Sequence, residues 1–139
     1  MAKLEQAKRW LERAQSDYAD AIVLDNHTWP KSVETICYLC QQVTEKSLKS
    51  ILIYHEDEVP RTHNIRDLMN SCIKHEPSVK IDGKIAMKLT DFSVASRYPD
   101  NMNEWTEEDM KLGLKYAKQT LDIVKQYLEK AEKEQETQG

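Results

Sequence analysis

Apolar residues recur along most of this chain at alternating steps of three and four, the spacing of one face of an α-helix. Leu4, Ala7, Leu11, Ala14, Tyr18 and Ala21 predict a first helix over 2–24, packed nearly antiparallel on its neighbours. Trp10 falls off that seam and is available to cover a second neighbour. Asp25-Asn26-His27 ends the run in turn-prone residues. A second helix is predicted from Trp29-Pro30 to about Tyr54, with Pro30 near the first helical position, where its missing N–H costs nothing. Ile36, Leu39, Cys40, Val43, Ser47, Leu48, Ile51 and Tyr54 cover about half of its circumference, as expected of the central helix of a bundle. The opposite side carries Tyr38, Gln42, Glu45, Lys46 and Lys49. The last four fall at i, i+3, i+4 and i+7 and so form one polar stripe, which in most helices is a solvated face.

After the polar connection 55–60, a shorter helix is predicted over 64–74, with Ile65, Leu68, Met69 and Cys72/Ile73 on one face. Thr62 or Asn64 can cap it. Glu76-Pro77-Ser78 breaks the pattern and Asp82-Gly83 marks a turn. The fourth helix is expected over 84–97, with Ile85, Leu89, Phe92 and Ser96 as its buried stripe and Met87 and Val94 offset. It must stop at Arg97-Tyr98-Pro99-Asp100, because Pro99 disfavours helical geometry at Tyr98 and cannot donate a backbone hydrogen bond. Arg97 then suits the negative end of the helix dipole, and Asp100 heads a short loop. By itself this junction is a helix end and turn that gathers an arginine, a phenol and a carboxylate.

Thr106-Glu107-Glu108-Asp109 is a capping signature for a fifth helix. Met110, Leu114, Ala117, Leu121, Val124, Leu128 and Ala131 follow in register. The polar residues after 131 are expected to fray. The fold class that follows is all-α: an up-and-down bundle of four long helices plus one short helix. It forms a single domain over 1–134 with a frayed polar tail at 135–139.

Composition supports this reading. In 139 residues there are only three glycines and four prolines, while charged residues make up 32%, a balance that favours long helices over a turn-rich sheet. The net charge of -4 argues against a general nucleic-acid coat but leaves room for a local basic patch. No run of about 18 apolar residues offers a membrane span. The N-terminal residues enter an amphipathic helix directly, without an apolar signal segment. Three cysteines, an odd number, suit a reducing cytoplasm better than a disulfide framework.

Few residues bear obvious chemistry. Cys37-Tyr38-Leu39-Cys40 has metal half-site spacing, but it lies within a helix and no second Cys/His pair matches it, so buried structural thiols are expected. His27, His55 and His75 sit in or beside polar connections, where histidines without a special role usually lie. His63 follows Pro60-Arg61-Thr62 at the mouth of the third helix, where it can cap that helix, pack under the loop or serve a site. Gly83, Gly113 and Gly139 are isolated, so no glycine-rich phosphate loop exists, and no metal or cofactor is expected.

Several segments, taken in order, resemble the HEPN domain, a helical family linked to nucleotides and RNA. They are Trp10-Leu11-Glu12-Arg13-Ala14, Asp17-Tyr18-Ala19-Asp20-Ala21, the run from Cys40 to Leu52, Pro60-Arg61-Thr62-His63-Asn64-Ile65 with Leu68, Ala95-Ser96-Arg97-Tyr98-Pro99-Asp100, and the final helix from Ala117. The resemblance implies a four- or five-helix bundle, usually dimeric. It also implies a minimal nucleotidyltransferase as partner, in a pair of which the HEPN protein is in some cases the toxin. Such toxins are metal-independent ribonucleases with an arginine followed, after four to six residues, by a histidine. From Arg97 that histidine would be at Met102, Asn103 or Glu104, and none is one; Arg9, Arg13, Arg61 and Arg66 also lack it. Without the imidazole, the obvious group to take a proton from a ribose 2′-OH is missing, unless His63 replaces it.

The resemblance therefore implies binding of nucleotide or RNA without cleavage. Its candidate residues are Gln42, Glu45, Lys46, Lys49, His63, Arg97, Tyr98 and Asp100. Lys46, Lys49 and Arg97 would meet phosphates, while Gln42 or Tyr98 would meet a base or sugar. The alternative is a dimerising helical adaptor without ligand, in which Arg97 and Asp100 pair with the second helix and hold it in register.

Overall fold

The alternating three- and four-residue seams fold, in a computed structural model, into α1 (Ala2–His27), α2 (Val33–Tyr54), α3 (Ile65–Cys72), α4 (Gly83–Ala95) and α5 (Glu107–Gln138). The structure describes residues 2–27, 29–95 and 105–138. Among the described residues there are no strands, so the all-α bundle of four long helices and one short helix is borne out.

One helix start and one helix end differ from expectation. α2 begins at Val33, three residues beyond Pro30, and α1 runs on to His27. A 3-10 turn at Pro77–Val79 was not legible as such; the Glu76 carboxylate starts it by accepting from the Ser78 N–H at 3.4 Å. The caps follow the sequence closely. Asn64 Oδ1 accepts from Asp67 N at 3.2 Å at the head of α3. Thr106 and Asp109 exchange hydrogen bonds of 3.0 and 3.1 Å at the head of α5, satisfying donors that the first turn leaves unpaired.

α2 is the centre: α1, α3, α4 and α5 all pack on it. Its buried residues run around the whole helix, from Ile36, Cys40 and Val43 to Gln41, Thr44 and Glu45. The polar stripe is thus not a solvated face. Glu45 is 4% exposed and Gln42, Lys46 and Lys49 are half-buried, because α1 and the chain before α3 cover that side. Asp17–Lys46 and Lys3–Glu56 ion pairs, each 2.5 Å, set α1 antiparallel to α2. On the other side Gly113 of α5 meets Cys40 and Phe92, so α2, α4 and α5 meet where the chain has its smallest side chain. The seams of α1 and α5 are otherwise as expected, with Leu4, Ala7, Leu11, Ala14 and Ala21 and then Met110, Ala117, Leu121, Val124 and Leu128 in the core. Among the described residues no helix is long and apolar enough to cross a membrane.

Candidate nucleic-acid interface

The stripe on α2 becomes a network because the connection after Tyr54 runs back along the helix and brings His63 over Glu45. His63 Nδ1 lies 2.7 Å from Glu45 Oε1, and Gln41 Nε2 donates to the same oxygen at 3.0 Å. Gln41 Nε2 also donates to the His63 carbonyl at 3.2 Å, fixing the connection to the helix. Lys49 Nζ donates to Glu45 Oε2 at 3.2 Å, and Gln42 Nε2 donates to Gln41 Oε1 at 2.7 Å. Burial would raise the Glu45 carboxyl, but the hydrogen bonds from His63 and Gln41 and the nearby Lys49 charge outweigh it and hold the group below the ordinary glutamate value. An ionised Glu45 only accepts, so His63 presents its N–H at Nδ1. The rest of that ring faces solvent, with the side chain 65% exposed.

Two further cations lie along the same strip. Lys46 pairs with Asp17 of α1 at 2.5 Å. Trp10 of α1 carries the Lys49 ammonium 5.9 Å and the Arg13 guanidinium 6.0 Å from its ring centroid. The structure thus brings together Gln42, Glu45, Lys46, Lys49 and His63 of the candidate residues. Arg97, Tyr98 and Asp100 lie outside the described residues, as does the junction they form. Sequence reasoning left out Gln41, the buried hub, although its i, i+4 relation to Glu45 was a usable signal. It also left out Trp10, Arg13 and Asp17, which share a face of α1 at i, i+3 and i+7.

His55 and His75, each in or beside a polar connection, form a second cluster. The His55 and His75 rings stack in parallel, 3.6 Å between centroids. His75 Nε2 meets Asp57 Oδ2 at 2.6 Å, and His55 Nε2 meets the Tyr127 hydroxyl. They line a cleft of about 570 Å³ with Tyr54, Glu76, Lys130 and Glu134. Burial, the neighbouring His75 and Lys74 lower the affinity of His55 for a proton. The hydrogen bond from His75 is the main reason the Asp57 carboxyl is held low. For both groups the unfolded chain binds protons more readily than the fold, so stability is full at high pH and lost on acidification. Unfolding free energy is expected to fall as pH drops below about 6.5 through the His55 titration, and again below about 4 through the carboxylates. Urea unfolding across pH checks this: His55→Gln should remove the upper step and leave the lower one.

Cys37, Cys40 and Cys72 are buried and unpaired, as expected of structural thiols. Burial, with nearby carboxylates adding to it, pushes Cys37 and Cys72 up to about 12. Cys40 is raised too, by burial first. Because the thiolate is the reactive form, the folded protein should resist a disulfide-exchange reagent and react with it only as fast as it unfolds. A native-state time course alongside one in urea checks this. Among the described residues no three His, Cys, Asp or Glu side chains are grouped to hold a metal ion.

Fold and network together define a small helical-bundle domain with a strip of lysine, histidine and tryptophan side chains where α1 and the connection before α3 meet the central helix. The HEPN domain profile matches residues 7–133, and the chain belongs to the HEPN domain family. That membership ties it to nucleotide- or RNA-related function. No curated protein matches the chain.

Proposed function

We propose that this HEPN protein binds nucleotide or RNA on the face formed by Gln42, Lys46, Lys49 and His63, with Arg97, Tyr98 and Asp100 as further contacts that the family resemblance implies. The observation that carries this reading is the His63 imidazole, held over buried Glu45 at 2.7 Å with Lys49 beside it and its outer side open to solvent. With its Nδ1–H given to Glu45, the imidazole turns an accepting Nε2 outward to a ribose hydroxyl or base N–H, and the Lys49 ammonium beside it is a donor for a phosphate oxygen. Because no histidine stands four to six residues after Arg97, binding proceeds without ribonuclease chemistry.

The working unit of this proposal is a homodimer paired with a minimal nucleotidyltransferase, in a toxin–antitoxin-like arrangement in the cytoplasm. The Tyr98 hydroxyl would attack the α-phosphate of a nucleoside triphosphate on that partner, releasing pyrophosphate. Mass spectrometry of the mixed pair reads the added nucleotidyl mass, and no mass change on the Tyr98 peptide removes that step.

Fluorescence anisotropy with short labelled RNA and competing ATP or GTP tests the binding itself. His63→Ala is expected to weaken it about tenfold, the loss of one hydrogen bond to the ligand. Absence of binding at millimolar nucleotide would favour the second reading, a structural helical adaptor. The internal pairing of Lys46 with Asp17 and of Lys49 with Glu45 is the observation on its side.

A further inference from the structure

Trp10 is a large apolar side chain that the core does not use. It is half-buried, yet it is not among the residues packed into or against the hydrophobic cluster. Its neighbours are instead two cations of different character. Lys49 is anchored through Glu45 and stays on the indole. Arg13 is exposed, lies one turn along α1, and makes no ion pair among the described residues. An indole with an anchored ammonium 5.9 Å and an exposed guanidinium 6.0 Å from its centroid has the makings of a nucleobase clamp. Bases stack on aromatic rings whatever their identity, and guanidinium planes stack on bases or pair with phosphates.

We propose that Trp10 is the stacking platform for one unpaired nucleobase, closed by Arg13, with the adjoining phosphate lying toward Lys49 and His63. This rests on the reading of the same face as a nucleotide or RNA site and narrows its ligand. A base inside a duplex has both faces covered by its neighbours, so the ligand is single-stranded nucleic acid or a free nucleotide, and duplex RNA is excluded. The acidic side chains along the strip, Glu45 and Asp17, are already paired with Lys49 and Lys46. The unpaired Arg13 is therefore the cation free to move onto the bound base.

The test is anisotropy of a fluorescein-labelled eight-nucleotide RNA, with the same strand annealed to its complement and with AMP or UMP as competitors. The proteins are the full chain and its Trp10→Phe, Trp10→Leu and Arg13→Ala variants. Intrinsic emission is followed in a Trp29→Phe/Trp105→Phe background, which leaves Trp10 as the one tryptophan of the three. Single-stranded RNA should bind and quench Trp10 emission, and the duplex should not compete. Trp10→Leu should weaken binding roughly 5- to 100-fold, while Trp10→Phe, which keeps an aromatic face, recovers most of it. Competition by a mononucleotide at the strength of the oligomer identifies a one-base site, and a large advantage for the oligomer identifies a strand.

Unchanged binding by Trp10→Leu, or equal competition by the duplex, overturns the platform while leaving the reading of the face intact. No binding by the parent protein overturns that reading as well. If Trp10→Leu lowers the melting temperature, the comparison of Trp10→Phe with Arg13→Ala decides: equal affinity to the parent in Arg13→Ala, with no quenching of Trp10, sinks the proposal.

Discussion

Replacing Glu45 with leucine is expected to cost about 3 kcal/mol of stability, far more than a residue on a polar helical stripe normally would. The loss is large because Glu45 accepts from three side chains at once, His63, Gln41 and Lys49. Leucine fills the volume but takes away one of the two acceptors of the buried Gln41 amide and releases the His63 ring, loosening the connection it anchors. Lys49 is half-buried and can turn to water, which keeps the cost below that of stranding a fully enclosed charge. Glu45→Gln, which keeps an acceptor but no charge, should lose about half as much. Because the folded carboxyl is held below its ordinary value, its stabilisation is present above about pH 4.3 and disappears as pH falls further. Urea unfolding at pH 7 and pH 4 reads both effects. A leucine variant within about 0.5 kcal/mol of the parent at pH 7 would show that the network does not hold the connection in place.

Gly113 should be nearly as intolerant, for the opposite reason. A Cβ there would lie 3.0 Å from Phe92 Cε2 and 3.2 Å from Cys40 Cβ, and both neighbours are fully buried. Alanine gains about 1 kcal/mol in helix propensity, but forcing apart packed side chains costs about 1–3 kcal/mol. Since neither neighbour has room to yield, the net effect of Gly113→Ala is a destabilisation of about 1 kcal/mol. Gly113→Leu should separate α5 from α2 and α4 and abolish a cooperative unfolding transition. Thermal unfolding followed by circular dichroism distinguishes the two, and a more stable alanine variant would mean that the contact relaxes at no cost.

Both predictions concern positions whose residue types are plain in the sequence and whose meaning is not. Gly113 reads as an isolated glycine in a long helix, and only the approach of Phe92 and Cys40 turns it into a packing requirement. Glu45 reads as one member of a stripe, and only the returning connection turns it into a buried acceptor. The pairing of His55 with His75 is likewise invisible from two polar loops twenty residues apart. Their rings meet only because the ends of α2 and α3 lie together.

What the sequence determined by itself is the set of local elements. Helix periodicity and caps depend on residues three or four apart, so the seams of α1 and α5, the Asn64 cap and the Thr106–Asp109 capping box could all be read directly. The tertiary structure decided which polar groups are partners. Hydrogen bonds and ion pairs act over about 3 Å, and Glu45 to His63, Lys46 to Asp17 and Lys49 to Trp10 bridge elements whose separation along the chain carries no periodic signature. The helices were therefore written locally, and the candidate interface exists only where they converge.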